Sequence, residues 1–187
     1  MAETFLIGAL VPNDAAAVRY LAASLRRWFS PADLRAIDAL LKKNVAGWVA
    51  HDHAEENNKH TLVGFLLTAP TPDPLVREVA WMGVDESWQE RGVGTALLDR
   101  AVASAAADGM RELEVSTVAA SAGYAPYEAT RAFYHARGFV DRRTDRDYYW
   151  PGGDRLLLRR IVASGQMDAV VAHSDSAGLP GAPDDGG

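Results

Sequence analysis

Cysteine is absent from all 187 residues. That excludes disulfide frameworks, thiolate metal sites and cysteine nucleophiles together. A basic excess is absent too: 19 Lys and Arg stand against 25 Asp and Glu, a formal charge of −6. Four of those acids, Asp168, Asp175, Asp184 and Asp185, fall in residues 163–187, which hold no Lys or Arg. The rest of the chain is therefore nearly balanced. A protein that follows phosphates needs a clustered basic surface, so no nucleic-acid partner is expected. No apolar run approaches the roughly 18 residues of a membrane helix. The start, Met1 to Ile7, has neither the basic region nor the long apolar stretch of a signal peptide. A soluble, cytoplasmic protein with no membrane partner is expected. His51 and His53, with Glu55 and Glu56, sit in a polar turn without further spaced ligands, so no metal is expected either.

What is present reads as one domain over residues 1–162, with 163–187 expected to be a disordered acidic tail. Thr4 to Leu10 reads as a strand. A helix from Ala15 to Leu25 follows, with Val18, Leu21, Ala22 and Leu25 on one face. Ser30-Pro31-Ala32-Asp33 opens a second helix: Ser30 caps it, Pro31 suits its first position, and Asp33 suits its positive end. Trp28, Phe29 and Trp48 are expected to pack these two helices onto the sheet. Strands are expected from Gly47, over Thr61 to Ala69, and over Val76 to Val84. A helix is expected within Trp88 to Ala107, then a strand over Leu113 to Val118 and a helix over Pro126 to Arg137. Phe139 to Tyr149 and Arg155 to Ile161 read as a hairpin about Pro151-Gly152-Gly153-Asp154. The order is β-α-α-β-β-β-α-β-α-β-β, an α+β (α/β-like) fold with a mixed sheet.

Chemistry enters at Gln89-Glu90-Arg91-Gly92-Val93-Gly94-Thr95, between a strand and a helix. Gly92 and Gly94 remove side chains where a ligand could meet the backbone. The helix beyond aims its free N–H groups and positive dipole end at that turn, which favours an anion, and Arg91 adds a charged donor. No Gly-Lys-Ser/Thr follows, so this is not a P-loop. The third glycine of a dinucleotide fingerprint is missing. Taken alone, a plain tight turn remains open.

The turn Gln89-x-x-Gly92-x-Gly94 resembles the Gln/Arg-x-x-Gly-x-Gly/Ala acetyl-CoA signature of the GNAT superfamily of N-acetyltransferases. The segment Ala129 to Phe139, with Phe133, Tyr134, Gly138 and Phe139, is similar to that family's later helix and turn. The resemblance implies a mixed, mostly antiparallel sheet flanked by helices. It also implies acetyl-CoA as acyl donor and transfer of its acetyl group to a primary amine on a small molecule or peptide. Binding of the donor would fall to Met82, Val84, Gln89, Glu90, Arg91, Gly92, Val93, Gly94, Thr95, Thr130 and Phe133. An oxyanion donor would be a backbone N–H near Met82 to Val84, beside a β-bulge hinted at by Gly83. One departure stands out: the family often has Asn seven positions before the helix tyrosine, and this chain has Tyr127. Tyr127, Thr130 and Arg131 are the candidates to replace its contacts.

Amine acetylation needs a proton acceptor, because an alkyl ammonium has a pKa near 10.4. Glu78 is the candidate base; strand alternation groups it with Ala80, Met82 and Val84. A solvated carboxylate or a partner for Arg77 is the plainer alternative. Tyr134 is the candidate acid, placed by the resemblance near the coenzyme sulfur; a packed amphipathic tyrosine is the alternative. Tyr148-Tyr149-Trp150 leaves open an acceptor wall, a homodimer interface or edge packing. A non-catalytic acyl-CoA-binding sensor or scaffold is the rival function.

Overall fold

In the computed structural model, residues 5–52 and 60–162 are described. His53, Glu55, Glu56 and the expected tail at 163–187 lie outside them. The elements are β1 (Phe5–Ala9), α1 (Ala15–Ser24), α2 (Pro31–Leu41), β2 (Gly47–Asp52), β3 (Leu62–Pro70), β4 (Val76–Val84), α3 (Val93–Ala107), β5 (Glu112–Val118), α4 (Glu128–His135), β6 (Val140–Trp150) and β7 (Gly153–Ile161). The sheet order is β1-β2-β3-β4-β5-β7-β6. Only β4 and β5 run parallel; every other neighbouring pair is antiparallel. This is the mixed, mostly antiparallel sheet expected from the sequence.

Apolar residues on the two faces of the strands build two cores. On one face Ala50, Val63, Leu66, Val79, Leu113, Val115, Leu156 and Leu158 meet α3 through Leu97 and Leu98 and α4 through Tyr134. On the other, Val49, Phe65 and Leu67 meet α1 and α2 through Val18, Leu21, Ala22 and Ile37. The second helix starts as its sequence requires. Ser30 Oγ accepts from the Asp33 amide at 3.3 Å, and the Asp33 carboxylate accepts from the Ser30 amide at 2.8 Å. Trp28 and Phe29 join the α1/α2 core, but Trp48 packs against the opposite one. Along β2, Trp48 alternates with Val49, so the two side chains take opposite faces.

Two irregularities shape the middle of the sheet. Leu67 pairs with Trp81 and Thr68 with Val79, which leaves Ala80 as an extra residue on β4. Such a bulge reverses the side-chain alternation beyond it. Val79 and Met82 therefore both reach the α3 core, while Trp81 packs with α1 and α2. The second feature is short pairing. β4 and β5 are matched only at Val76, Arg77 and Glu78, opposite Glu112, Leu113 and Glu114. Beyond Glu78 the two strands part, leaving backbone edges open toward each other in the middle of the sheet.

Candidate active site

The glycine turn opens α3 with an unusual backbone. Gly92, the residue before the first helical turn, has φ +87°, and Glu90 two residues earlier has φ +63°. Only glycine takes such angles without strain; a glutamate there costs about 1 kcal/mol. No side chain caps the helix, and its first ladder bond runs from the Ala96 amide to the Gly92 carbonyl at 3.0 Å. The amides of Val93, Gly94 and Thr95 precede that bond and lack partners within the helix. Val93 is buried in the core and fixes where the helix begins.

The neighbouring side chains brace this turn. Gln89 donates from Nε2 to the Val84 carbonyl at 3.2 Å, tying the turn to the end of β4. Arg91 lies over the Trp88 ring, 5.4 Å from its centroid. A β-carbon on Gly94 would lie 3.4 Å from the Phe133 ring and 3.8 Å from Val84, so α4 closes directly onto the first turn of α3. Arg137 donates to Thr95 Oγ1 through Nε, at 3.1 Å, and through its terminal nitrogen. Its guanidinium also stacks 4.3 Å from the Phe133 centroid. Arg137 stands within the helix motif, yet the sequence alone assigns it no role. Its position brings a cation beside the free amides.

The sequence-predicted site residues fall on β4, on the turn and first turn of α3, and on α4, and they take two faces of the sheet. Tyr134 lies on the α3/α4 side, 4% exposed, with its ring against Phe133 and Phe139. Burial alone pushes its hydroxyl pKa up. Thr130 is half-buried one helical turn earlier on the same face of α4. Glu78 is on the opposite side. The bulge at Ala80 breaks the expected grouping: Met82 and Val84 pack toward α3, while Glu78 shares its face with Trp81. Nor does Gly83 mark the bulge. A β-carbon there would strike Phe65 at 2.7 Å and Leu25 at 2.9 Å, so glycine at 83 serves packing.

Glu78 occupies the last paired position before the strands separate, directly opposite Glu114. Desolvation and then the Glu114 charge push its pKa above the ordinary carboxylate value, against a weaker pull from Arg155. Its neighbours are spoken for. Arg159 binds Glu114 at 2.7 Å and Glu112 at 2.9 Å, and Arg155 pairs with Asp145. Arg77 turns to the other face and pairs with Asp108 at 2.8 Å, so it is not the partner of Glu78.

Aromatic side chains wall the Glu78 side. Tyr127 donates its hydroxyl to the Trp28 carbonyl at 2.8 Å, Tyr124 donates to the Arg27 carbonyl at 3.2 Å, and Trp28 Nε1 donates to the Pro126 carbonyl at 3.3 Å. The α1–α2 loop is thus clasped to the segment before α4. Burial pushes the Tyr127 pKa up to about 12. The proton of that hydroxyl is committed to the loop. Arg131 reaches the Val118 carbonyl at 2.9 Å. The hairpin also departs from a simple turn. Between the pairs Asp145–Arg155 and Trp150–Gly153, β6 carries four residues and β7 only Asp154. Asp154 accepts from the Asp147 amide at 3.0 Å, Asp147 accepts from the Gly152 amide at 2.6 Å, and Asp147 itself has φ +53°. This wide bulge pushes Tyr148 and Tyr149 out of the ladder. Trp150 meets the Tyr124 ring edge-on at 6.2 Å.

A turn of free amides, a parted strand pair and a following aromatic helix coincide with one domain family. Residues 43–141 match the acetyltransferase (GNAT) domain. The chain belongs to the GNAT family. It is similar to a GNAT-family protein from Desulfovibrio desulfuricans, at 25% identity and TM-score 0.72 over 86% of this chain and 100% of that one. It shares its fold with the ribosomal-protein-S18-alanine N-acetyltransferase of Escherichia coli, at 18% identity and TM-score 0.67 over 88% and 98%. It also shares it with Arabidopsis thaliana NAA60, whose structure holds acetyl-CoA, at 15% identity and TM-score 0.67 over 85% and 99%. No curated protein matches the chain. GNAT membership makes the protein an acyltransferase. Among the described residues no cluster of His, Asp or Glu could hold a metal.

Proposed function

We propose that this GNAT domain transfers acetyl from acetyl-CoA to a primary amine by direct attack, in the cytoplasm. The observation that carries the reading is the join between the two faces. The anion-favouring start of α3 and Tyr134 lie on one side of the parted strands, and Glu78 with the aromatic wall on the other. A donor held from the first side and an amine entering from the second would meet at the gap.

Acetyl-CoA supplies an activated acetyl group on a thioester, and a phosphorylated arm suited to the amides of Val93, Gly94 and Thr95 and the nearby Arg137. Glu78 takes the amine proton as the N–C bond forms, when the nitrogen becomes far more acidic. A carboxylate with a raised pKa is the stronger base. The open backbone edge of β4 past Ala80 offers amides to the carbonyl oxygen as it gains charge. The C–S bond breaks, and Tyr134, kept protonated by burial, donates a hydrogen bond to the departing sulfur. Its pKa stands far above the ~8.5 of a thiol, so it stabilises a thiolate rather than handing over its proton outright. The aromatic wall favours an amine carried on an apolar or aromatic group, which can pack against the rings. A peptide N-terminus fits that description.

The test is release of free thiol from acetyl-CoA with a panel of amines and short peptides. Turnover by the wild type, cut by about two orders of magnitude or more in Glu78→Gln and in Tyr134→Phe, is expected. Unchanged turnover in both variants removes these roles. Tight donor binding without turnover on any amine favours the sensor or scaffold reading.

A further inference from the structure

One buried polar atom is left over by the fold. Thr117 is 3% exposed, and its Oγ1 has no hydrogen-bond partner among the described residues. Leaving a hydroxyl desolvated and unpaired is costly, and valine would fill the same volume without that cost. The position of Thr117 bears on the choice. β5 runs in unbroken register with β7 along one edge, where Thr117 sits opposite Leu156. On its other edge β5 is paired with β4 only through Glu114, so Thr117 lies three residues into the parted segment. Its side chain shares a face with Leu113 and Val115, the face covered by α3 and α4. Just beyond it, Arg131 of α4 holds the Val118 carbonyl. The orphan hydroxyl is thus on the donor side of the gap, the same side as Tyr134.

We infer that Thr117 Oγ1 is a donor-binding group, completed by a hydrogen bond from or to the amide-bearing arm of the acyl donor as that arm enters between β4 and β5. The inference rests on the acetyl-CoA reading above. A hydroxyl both donates and accepts, so it can serve either the N–H or the C=O of an amide. In the empty protein it is a local defect, and binding repairs it. Part of the donor's affinity therefore comes from pairing a hydroxyl that the fold alone leaves unpaired.

The experiment pairs thermal unfolding of the ligand-free protein with calorimetric titration of acetyl-CoA, on wild type, Thr117→Val and Thr117→Ser. Thr117→Val is expected to melt higher than wild type and to bind acetyl-CoA about three- to tenfold more weakly, the span of one ordinary hydrogen bond. Thr117→Ser keeps the hydroxyl and is expected to bind within about twofold of wild type, though it melts lower for loss of a buried methyl. Higher stability with unchanged affinity in Thr117→Val would show a buried defect that the donor never touches, and would overturn the inference. So would a lower melting point in Thr117→Val, which would mean that the hydroxyl is already paired in the free protein. If the folded wild type binds no acetyl-CoA, the donor site itself fails and the inference with it, an outcome distinct from the other two.

Discussion

Gly92→Ala tests the backbone of the phosphate cradle separately from its chemistry. A β-carbon at 92 would meet nothing within 4 Å, so no steric clash enters. The cost is conformational: φ +87° charges an L-residue about 1–2 kcal/mol. For a domain of this size, that lowers the melting temperature by roughly 2–8 °C. Gly92→Asn, whose side chain tolerates the left-handed region better, should recover much of the loss. Neither substitution adds charge, so any further drop in acetyl-CoA affinity reports side-chain atoms placed where the backbone meets its ligand. The assay is thermal unfolding with and without saturating acetyl-CoA. Gly92→Ala that melts with wild type would refute a left-handed residue at the helix start, and with it the cradle geometry.

Three further outcomes follow from the site. Glu78→Gln should become more stable relative to wild type as pH rises. The folded carboxyl has a raised pKa, so the folded state holds its proton longer than the unfolded chain does. That penalty is absent below the ordinary value of 4.5 and develops as pH rises through the raised one. The acid limb of wild-type kcat/KM should lie above the ordinary carboxylate range and vanish in the variant; identical pH dependence of stability in both proteins would contradict the assignment. Tyr134→Phe should leave ligand-free stability within about 1 kcal/mol of wild type, because the ring rather than the hydroxyl makes the core contacts; chemical denaturation measures this. Tyr127→Phe should cost about 1 kcal/mol through the stranded Trp28 carbonyl. It should raise KM for the amine while leaving acetyl-CoA affinity alone.

The legible part of this protein was what local sequence controls. Ser30, Pro31 and Asp33 announce their helix start because a capping box is made within four residues. The glycine turn is readable because a left-handed backbone and free amides both follow from Gly92 and the helix after it. What stayed hidden depends on partners far along the chain. The bulge at Ala80 exists because β3 pairs out of step with β4, and nothing in Val79-Ala80-Trp81 signals it. The reversal of face that separates Glu78 from Met82 follows from that one residue. Gly83 suggested a bulge but yields its side chain to Phe65 and Leu25, which approach from two other elements. The contact from Tyr127 to the Trp28 carbonyl spans 99 residues, so helix spacing alone does not show it. The orphaned Thr117 is an ordinary strand residue until the sheet on either side of it is known.

The central claim is that the start of α3 and the gap beside it hold acetyl-CoA. Isothermal calorimetry of acetyl-CoA on wild type and on Gly92→Glu addresses it most directly, with circular dichroism confirming that both are folded. Micromolar binding by wild type, lost when a carboxylate is placed before the free amides of Val93, Gly94 and Thr95, is the result this account predicts. Equal affinity in the two folded proteins, or none in the wild type, would contradict it.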